Sequence, residues 1–170
     1  AHSAGLDMSD VSLAIKIIAT KDNDIINRVV RGTNRQNIVH DVAFETTRPF
    51  HKLLEDFFND YSGSSHRIYY ERRSKQYQYN HSIRNHQRIG FRKLIQSFVG
   101  MFLNQPHLSH RHEYWLLTTF QNDIFRDSQS KLPYFVSSLS GYVLDELIER
   151  NAIDKRIANT YRNHLLMVFR

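Results

Sequence analysis

The chain contains no cysteine and only six glycines in 170 residues. Without cysteine there is no disulfide framework, no thiolate metal site and no thiol nucleophile, a usage that fits a cytosolic protein. The glycines are scattered, and no GxxxxGK(S/T) loop is present to cradle a phosphate. No apolar run approaches the ~20 residues that a membrane-spanning helix needs, so no membrane partner is expected. The opening residues, "AHSAGLDMSD", lack the basic-then-apolar pattern of a secretory signal. Also missing are a GxSxG nucleophile elbow and the acid-x-lysine triplet with which a restriction-type nuclease holds a divalent metal and positions water.

What is present describes an ordinary globular chain. Hydrophobic residues make up 41% and charged residues 24%, and the length suits one domain, 1–170, with a real core. The chain begins on Ala1 rather than Met and ends on an apolar helical pattern, "YRNHLLMVFR". We therefore expect a piece of a longer protein, with a mixed strand and helix part over 1–80 and a helical part over 81–170.

The charge is concentrated. Between His66 and Lys93 there are eight Lys/Arg against a single acid, Glu71, which exceeds the net charge of +6 for the whole chain. A basic segment of this kind points to an anionic partner, most often nucleic acid. Tyr69, Tyr70, Tyr77 and Tyr79 interleave with Arg67, Arg72, Arg73 and Lys75. Aromatic rings stack on unpaired bases while arginines take phosphates, the chemistry of single-strand binding. A half-buried strand with inward tyrosines and solvated arginines explains the same pattern equally well. Glu71 is expected to pair with one of the surrounding arginines, and it is the weak candidate for a catalytic acid.

Local patterns give the elements. "VSLAIKIIA" at 11–19 reads as a strand. Ile25, Ile26, Val29 and Val30 form a helical stripe. Pro49 opens a helix that places Phe50, Leu53, Leu54, Phe57 and Phe58 on one face. "SGSS" at 62–65 is a loop, and residues 66–80 read as one strand or a short hairpin. From "RIGFRKLIQSFVGMFLN" onward the periodicity is helical, with three further helices after the stop at "NQP". The fold class expected is mainly α (α+β), a helical domain with a few N-terminal strands that belong to a larger sheet.

Two constellations remain. "HLSHRH" spaces His107, His110 and His112 as zinc ligands can be spaced, but a polar turn after Pro106 is the preferred reading and no metal site is assigned. The amide cluster Asn34, Gln36 and Asn37 with Arg35 can bond a base edge or phosphate, or tie down a turn through backbone bonds. Chemistry alone favours the turn.

The order of these motifs is informative. A strand, an acid-rich helix start, "TNRQNIV", an apolar helix and then "YYERR" resemble the abortive-infection phage-resistance (AIPR) family of bacterial proteins. In that family a TNxQN element precedes a YYERR-like element by some thirty residues, and both stand here as Thr33–Asn37 and Tyr69–Arg73. The downstream "FLNQPHLS" and "NDIF" also look like that family's C-terminal half. Its upstream NGxQT element is not in this chain, and some members carry a nuclease-like domain nearer the N-terminus.

The resemblance implies a cytoplasmic antiphage defence module. On this reading Asn34, Arg35, Gln36, Asn37, Tyr69, Tyr70, Arg72 and Arg73 form a polar site for nucleic acid, single-stranded or duplex, or for a nucleotide. Part of a metal-dependent nuclease or nucleotide-processing enzyme, with Glu71 as its acid and Gln36 as a positioning group, is the alternative, and a helical partner-docking scaffold is the third. No cofactor is assigned, and self-association into a homo-oligomer is left open.

Overall fold

The computed structural model describes residues 66–169 without a break, 44–61 together with Val42, and Ser12, Ile15, Ile17, Ala19, Thr20 and Ile25 upstream. The chain divides into two compact units, 1–35 and 36–170. The second contains helix α1 (Pro49–Tyr61), strands β1 (Tyr69–Glu71) and β2 (Arg88–Gly90), and helices α2 (Phe91–Met101), α3 (Glu113–Thr119), α4 (Leu132–Glu149) and α5 (Lys155–Leu165). The fold is mainly α with few strands, as the sequence leads one to expect. The strand expected over 11–19 lies for the most part outside the described residues, as do the helix expected around 25–30 and the "SGSS" loop.

Helix α1 buries Phe50, His51, Leu54 and Phe58. At about 100° per residue these positions span one arc, and Leu53 falls about 60° beyond its edge. That corrects the expected face: Leu53 is 55% exposed, and the buried arc includes a histidine instead. Phe57 stays partly buried and stacks on Tyr61 at 4.8 Å.

The two strands pair in parallel, with Tyr69 opposite Arg88, Tyr70 opposite Ile89 and Glu71 opposite Gly90. Two expectations change here. Residues 66–80 form neither one long strand nor a hairpin, because β1 stops at Glu71 and the polar run after it folds into turns, with Lys75 at φ 62°. Arg88–Gly90 is a strand rather than the start of a helix, and α2 begins at Phe91 with Gly90 as its N-cap. A parallel pair needs a crossover, which a two-residue turn cannot supply. The turns of 72–84 and a 3-10 turn at Asn85–Gln87 provide it. Arg88 braces the crossover by donating to the carbonyls of Ile83 (2.8 Å) and Asn80 (3.3 Å).

Aromatic rings dominate the core. Tyr134 of α4 stacks on Phe98 of α2 at 4.0 Å and on Phe125 at 5.2 Å, and meets Phe50 of α1 edge-on at 5.4 Å. Each fully buried ring of this kind contributes about 1.5–3 kcal/mol through area removed from water. The Tyr134 hydroxyl stays satisfied: it accepts from the Phe125 N–H at 2.7 Å and donates to Gln129 at 2.8 Å. Helices α2 and α4 approach closely because Gly141 faces Ser97, where an added Cβ would sit 3.3 Å from the serine hydroxyl. Helix α5 is capped by Asp154 and fixed to α4 by Arg162, which donates twice to Asp145 at 2.7 and 3.0 Å. Among the described residues no helix is long and apolar enough to cross a membrane.

Candidate nucleic-acid interface

Strand β1 divides the YYERR motif between two faces. Successive side chains in a strand point to opposite sides, so Tyr70 goes one way and Tyr69 and Glu71 the other; just past the strand end Arg72 turns to the Tyr70 side, toward α1, while Arg73 is exposed. Tyr70 is fully buried, and its hydroxyl lies 2.9 Å from Nδ1 of His51 on α1. Arg72 has a side chain only 8% exposed; its Nε donates to Glu55 of α1 at 2.8 Å and a terminal nitrogen to the Thr46 carbonyl at 3.2 Å. These two residues anchor the strand to α1 and its entry. Tyr70 therefore packs and has no face open for stacking on a base, and the Arg72 guanidinium is engaged within the protein.

The anchor is a connected polar network in an aromatic wall. His51 is packed against Phe50, Tyr70, Phe91 and Phe125, and its Nε2 lies 3.3 Å from Glu45. An ionised Glu45 only accepts, so Nε2 carries the proton and Nδ1 accepts the Tyr70 O–H. Burial lowers the His51 pKa below 6.5, against the opposing pull of the Glu45 hydrogen bond and charge. Burial likewise raises the Tyr70 phenol far above its usual range. Glu45 also takes a 2.7 Å ion pair from Arg48, which continues to the Phe125 carbonyl and Asp127. On α1, Glu55 receives Arg72 and the Gln76 side-chain amide, so it holds both the strand end and the turn beyond it.

The outward face carries the exposed chemistry. Arg67 lies over the Tyr69 ring at 5.2 Å, and the Tyr77 ring meets Tyr69 at 5.6 Å with a 58° tilt. Tyr79, two residues on, is 85% exposed. Gln87 fixes this edge by donating to the Arg67 carbonyl at 2.8 Å while accepting from the Arg84 N–H at 3.0 Å. Of the eight basic residues in 66–93, Arg72, Arg92 and Lys93 are ion-paired to Glu55, Glu113 and Asp145, and Arg88 is bonded to carbonyls. Arg67, Arg73, Lys75 and Arg84 are exposed and have no carboxylate partner among the described residues.

Glu71 departs from expectation. It stands on the outward face and is half-buried, yet forms no ion pair among the described residues. The acid that pairs with an arginine of this motif is Glu55, seventeen positions upstream of Arg72 and on another element. Sequence spacing carries no signal for that pairing. Glu71 does act at a distance, since its charge contributes to raising the Tyr77 pKa, behind burial, Glu55 and Tyr69.

The remaining candidates are placed as follows. Asn34, Arg35, Gln36 and Asn37 lie outside the described residues. His107, His110 and His112 are exposed in and after the turns following Pro106; His112 caps α3, accepting from the Tyr114 N–H, and lies 3.7 Å from Glu113. Among the described residues no three His, Cys, Asp or Glu side chains are grouped to hold a metal ion.

Comparison with curated proteins and with solved structures finds no match. The family model described as "AIPR protein" matches residues 1–169, essentially the entire chain. The chain belongs to the AIPR family, whose name places it with abortive infection and phage resistance.

Proposed function

We propose that this region is a nucleic-acid-binding module of a cytosolic antiphage defence protein, and that the outward face of β1 with the turns after it is the contact surface. The observation that carries the reading is the set of four exposed cations without carboxylate partners among the described residues, Arg67, Arg73, Lys75 and Arg84, in the same segment as the Tyr69–Tyr77 ring pair, on which Arg67 lies, and the exposed Tyr79. Cations not engaged by carboxylates can neutralise phosphates, and the exposed Tyr79 ring and the open parts of the half-buried Tyr69 and Tyr77 can stack on bases. Tyr70 and Arg72 serve the site by holding β1 on α1. Asn34, Arg35, Gln36 and Asn37 enter the proposal on chemistry alone, as donors and acceptors for a phosphate or a base edge.

The test is the affinity of the chain for labelled single-stranded and duplex DNA and RNA, beside an Arg73→Ala/Lys75→Ala variant. Both residues are exposed, and neither takes part in the anchor, so the variant should fold normally. Binding that prefers single strands and falls at least tenfold in the variant supports the reading. Failure of the folded wild-type chain to bind any of the four ligands sinks it and leaves partner docking as the better description.

A further inference from the structure

We propose that Glu71 is a base-reading residue whose carboxylate, on the ledge formed by Arg67, Tyr69 and Tyr77, accepts two hydrogen bonds from the Watson–Crick edge of an unpaired guanine. This rests on the nucleic-acid reading above and gives it a ligand class.

Glu71 is the lone acid among eight basic residues between 66 and 93, and with no ion pair among the described residues its negative charge stands unused. A site that only gathers phosphate has no use for that charge, since a carboxylate repels the phosphate its neighbours attract. Its place on the strand fixes its company: it lies two residues from Tyr69 on the same face, and Tyr69 in turn meets the Tyr77 ring, whose ionisation the Glu71 charge opposes. A base stacked on the exposed surfaces of this ring and guanidinium ledge presents its edge to whatever acceptor lies alongside.

The chemistry of a carboxylate then selects the base. Its two oxygens are acceptors only, so they suit an edge with two adjacent donors. Guanine offers N1–H and the N2 amino group side by side. Adenine and cytosine offer one amino donor next to a ring-nitrogen lone pair, which faces the second carboxylate oxygen unfavourably. Uracil and thymine place carbonyls on both sides of their one N–H. The edge is available only when the base is unpaired, so single strands are required.

The experiment uses short uridine tracts with one central guanosine, inosine or adenosine, titrated against the chain and against Glu71→Gln. Inosine keeps N1–H but lacks the N2 amino group. A good bidentate contact discriminates by roughly tenfold or more, so affinity should fall about tenfold from guanosine to adenosine, with inosine between. In Glu71→Gln the amide presents a donor where guanine needs an acceptor, and the preference should shrink to within about twofold while overall binding holds or tightens. Equal affinity for the three strands overturns the proposal, and so does a guanosine preference that survives in a folded Glu71→Gln. If binding nonetheless depends on Arg73 and Lys75, the nucleic-acid reading stands without base selection. Absence of binding to every strand overturns both. Should the variant misfold, equal affinity of the wild-type chain for the three strands still overturns the proposal, and Glu71→Ala supplies the second variant.

Discussion

Tyr69 and Tyr70 are chemically identical neighbours, and the pleat of a three-residue strand sends one to the surface ledge and the other into the core. Just past the strand, Arg72 is held by Glu55 and Arg73 is exposed, so the two arginines are expected to fail differently. Arg72→Ala strands Glu55 in a largely buried setting and should cost about 3 kcal/mol of stability, the low end for breaking a buried ion pair. Arg73→Ala should leave the unfolding midpoint within error while weakening nucleic-acid binding. Denaturant melts and titrations of the two single variants distinguish them, and equal destabilisation would contradict the division of labour.

Tyr70→Phe removes the hydroxyl proton that His51 Nδ1 accepts and should cost about 1–3 kcal/mol, the penalty for a buried acceptor left unpaired. The histidine adds a pH dependence whose sign is fixed by its lowered pKa. Above pH 6.5 it is neutral folded or unfolded and its contribution is complete. As pH falls through 6.5 the unfolded chain takes up the proton first, so stability declines until the lower folded pKa is passed, then levels. Melts between pH 8 and pH 5 should show this loss, and a stability that rises on acidification over that range would be inconsistent with a buried neutral His51.

At the scale of elements, helices were legible where periodicity was strong and the buried arc simple. Phe50, Leu54 and Phe58 announce α1, and Pro49 marks its start. His51 was not legible as a core residue, because its burial depends on Tyr70 and Glu45, which no local pattern connects to it. Strand β2 was hidden for a related reason: Arg88–Gly90 runs straight into the helical stripe of α2, and only the partner strand twenty residues upstream makes it extended. The tyrosine alternation through Tyr77 and Tyr79 looks like a longer β1, yet only Tyr70 of the four is fully buried, so the chain turns after Glu71. Of the candidate site, the residue types were readable and their faces were not.

Helix α5 tests how local its attachment is. Its Arg162 fork on Asp145 ties it to α4, and Lys93 of α2 reaches the same carboxylate at 3.5 Å. Arg162→Ala should loosen α5 first, raising amide hydrogen exchange over 155–165 while α2 and α4 keep their protection. Uniformly faster exchange throughout the second unit would mean instead that α5 is part of one cooperative core. Phe125 is a contrasting case. It holds φ 53°, a conformation few side chains adopt, and is retained by ring contacts on four sides and by Tyr134 and Arg48 at its backbone. Phe125→Ala should therefore cost about 3–5 kcal/mol in a denaturant melt.

Over the whole molecule the positive charge is sorted by use. Half of the basic residues in 66–93 serve the fold, as Arg72, Arg88, Arg92 and Lys93, and half are exposed without a carboxylate partner among the described residues, as Arg67, Arg73, Lys75 and Arg84. Net charge alone would have overstated the number of exposed cations free of carboxylate partners about twofold. A face that binds by releasing counterions reports its phosphate contacts directly, because each contact to a single strand contributes roughly 0.7 to the slope of log K against log salt. The measurement that tests the central claim most directly is that slope for single-stranded nucleic acid, taken for the chain and for Arg73→Ala/Lys75→Ala. Two lost contacts should make the variant's slope shallower by roughly 1.4. An unchanged slope would place the phosphates elsewhere on the molecule and contradict the assignment of this face.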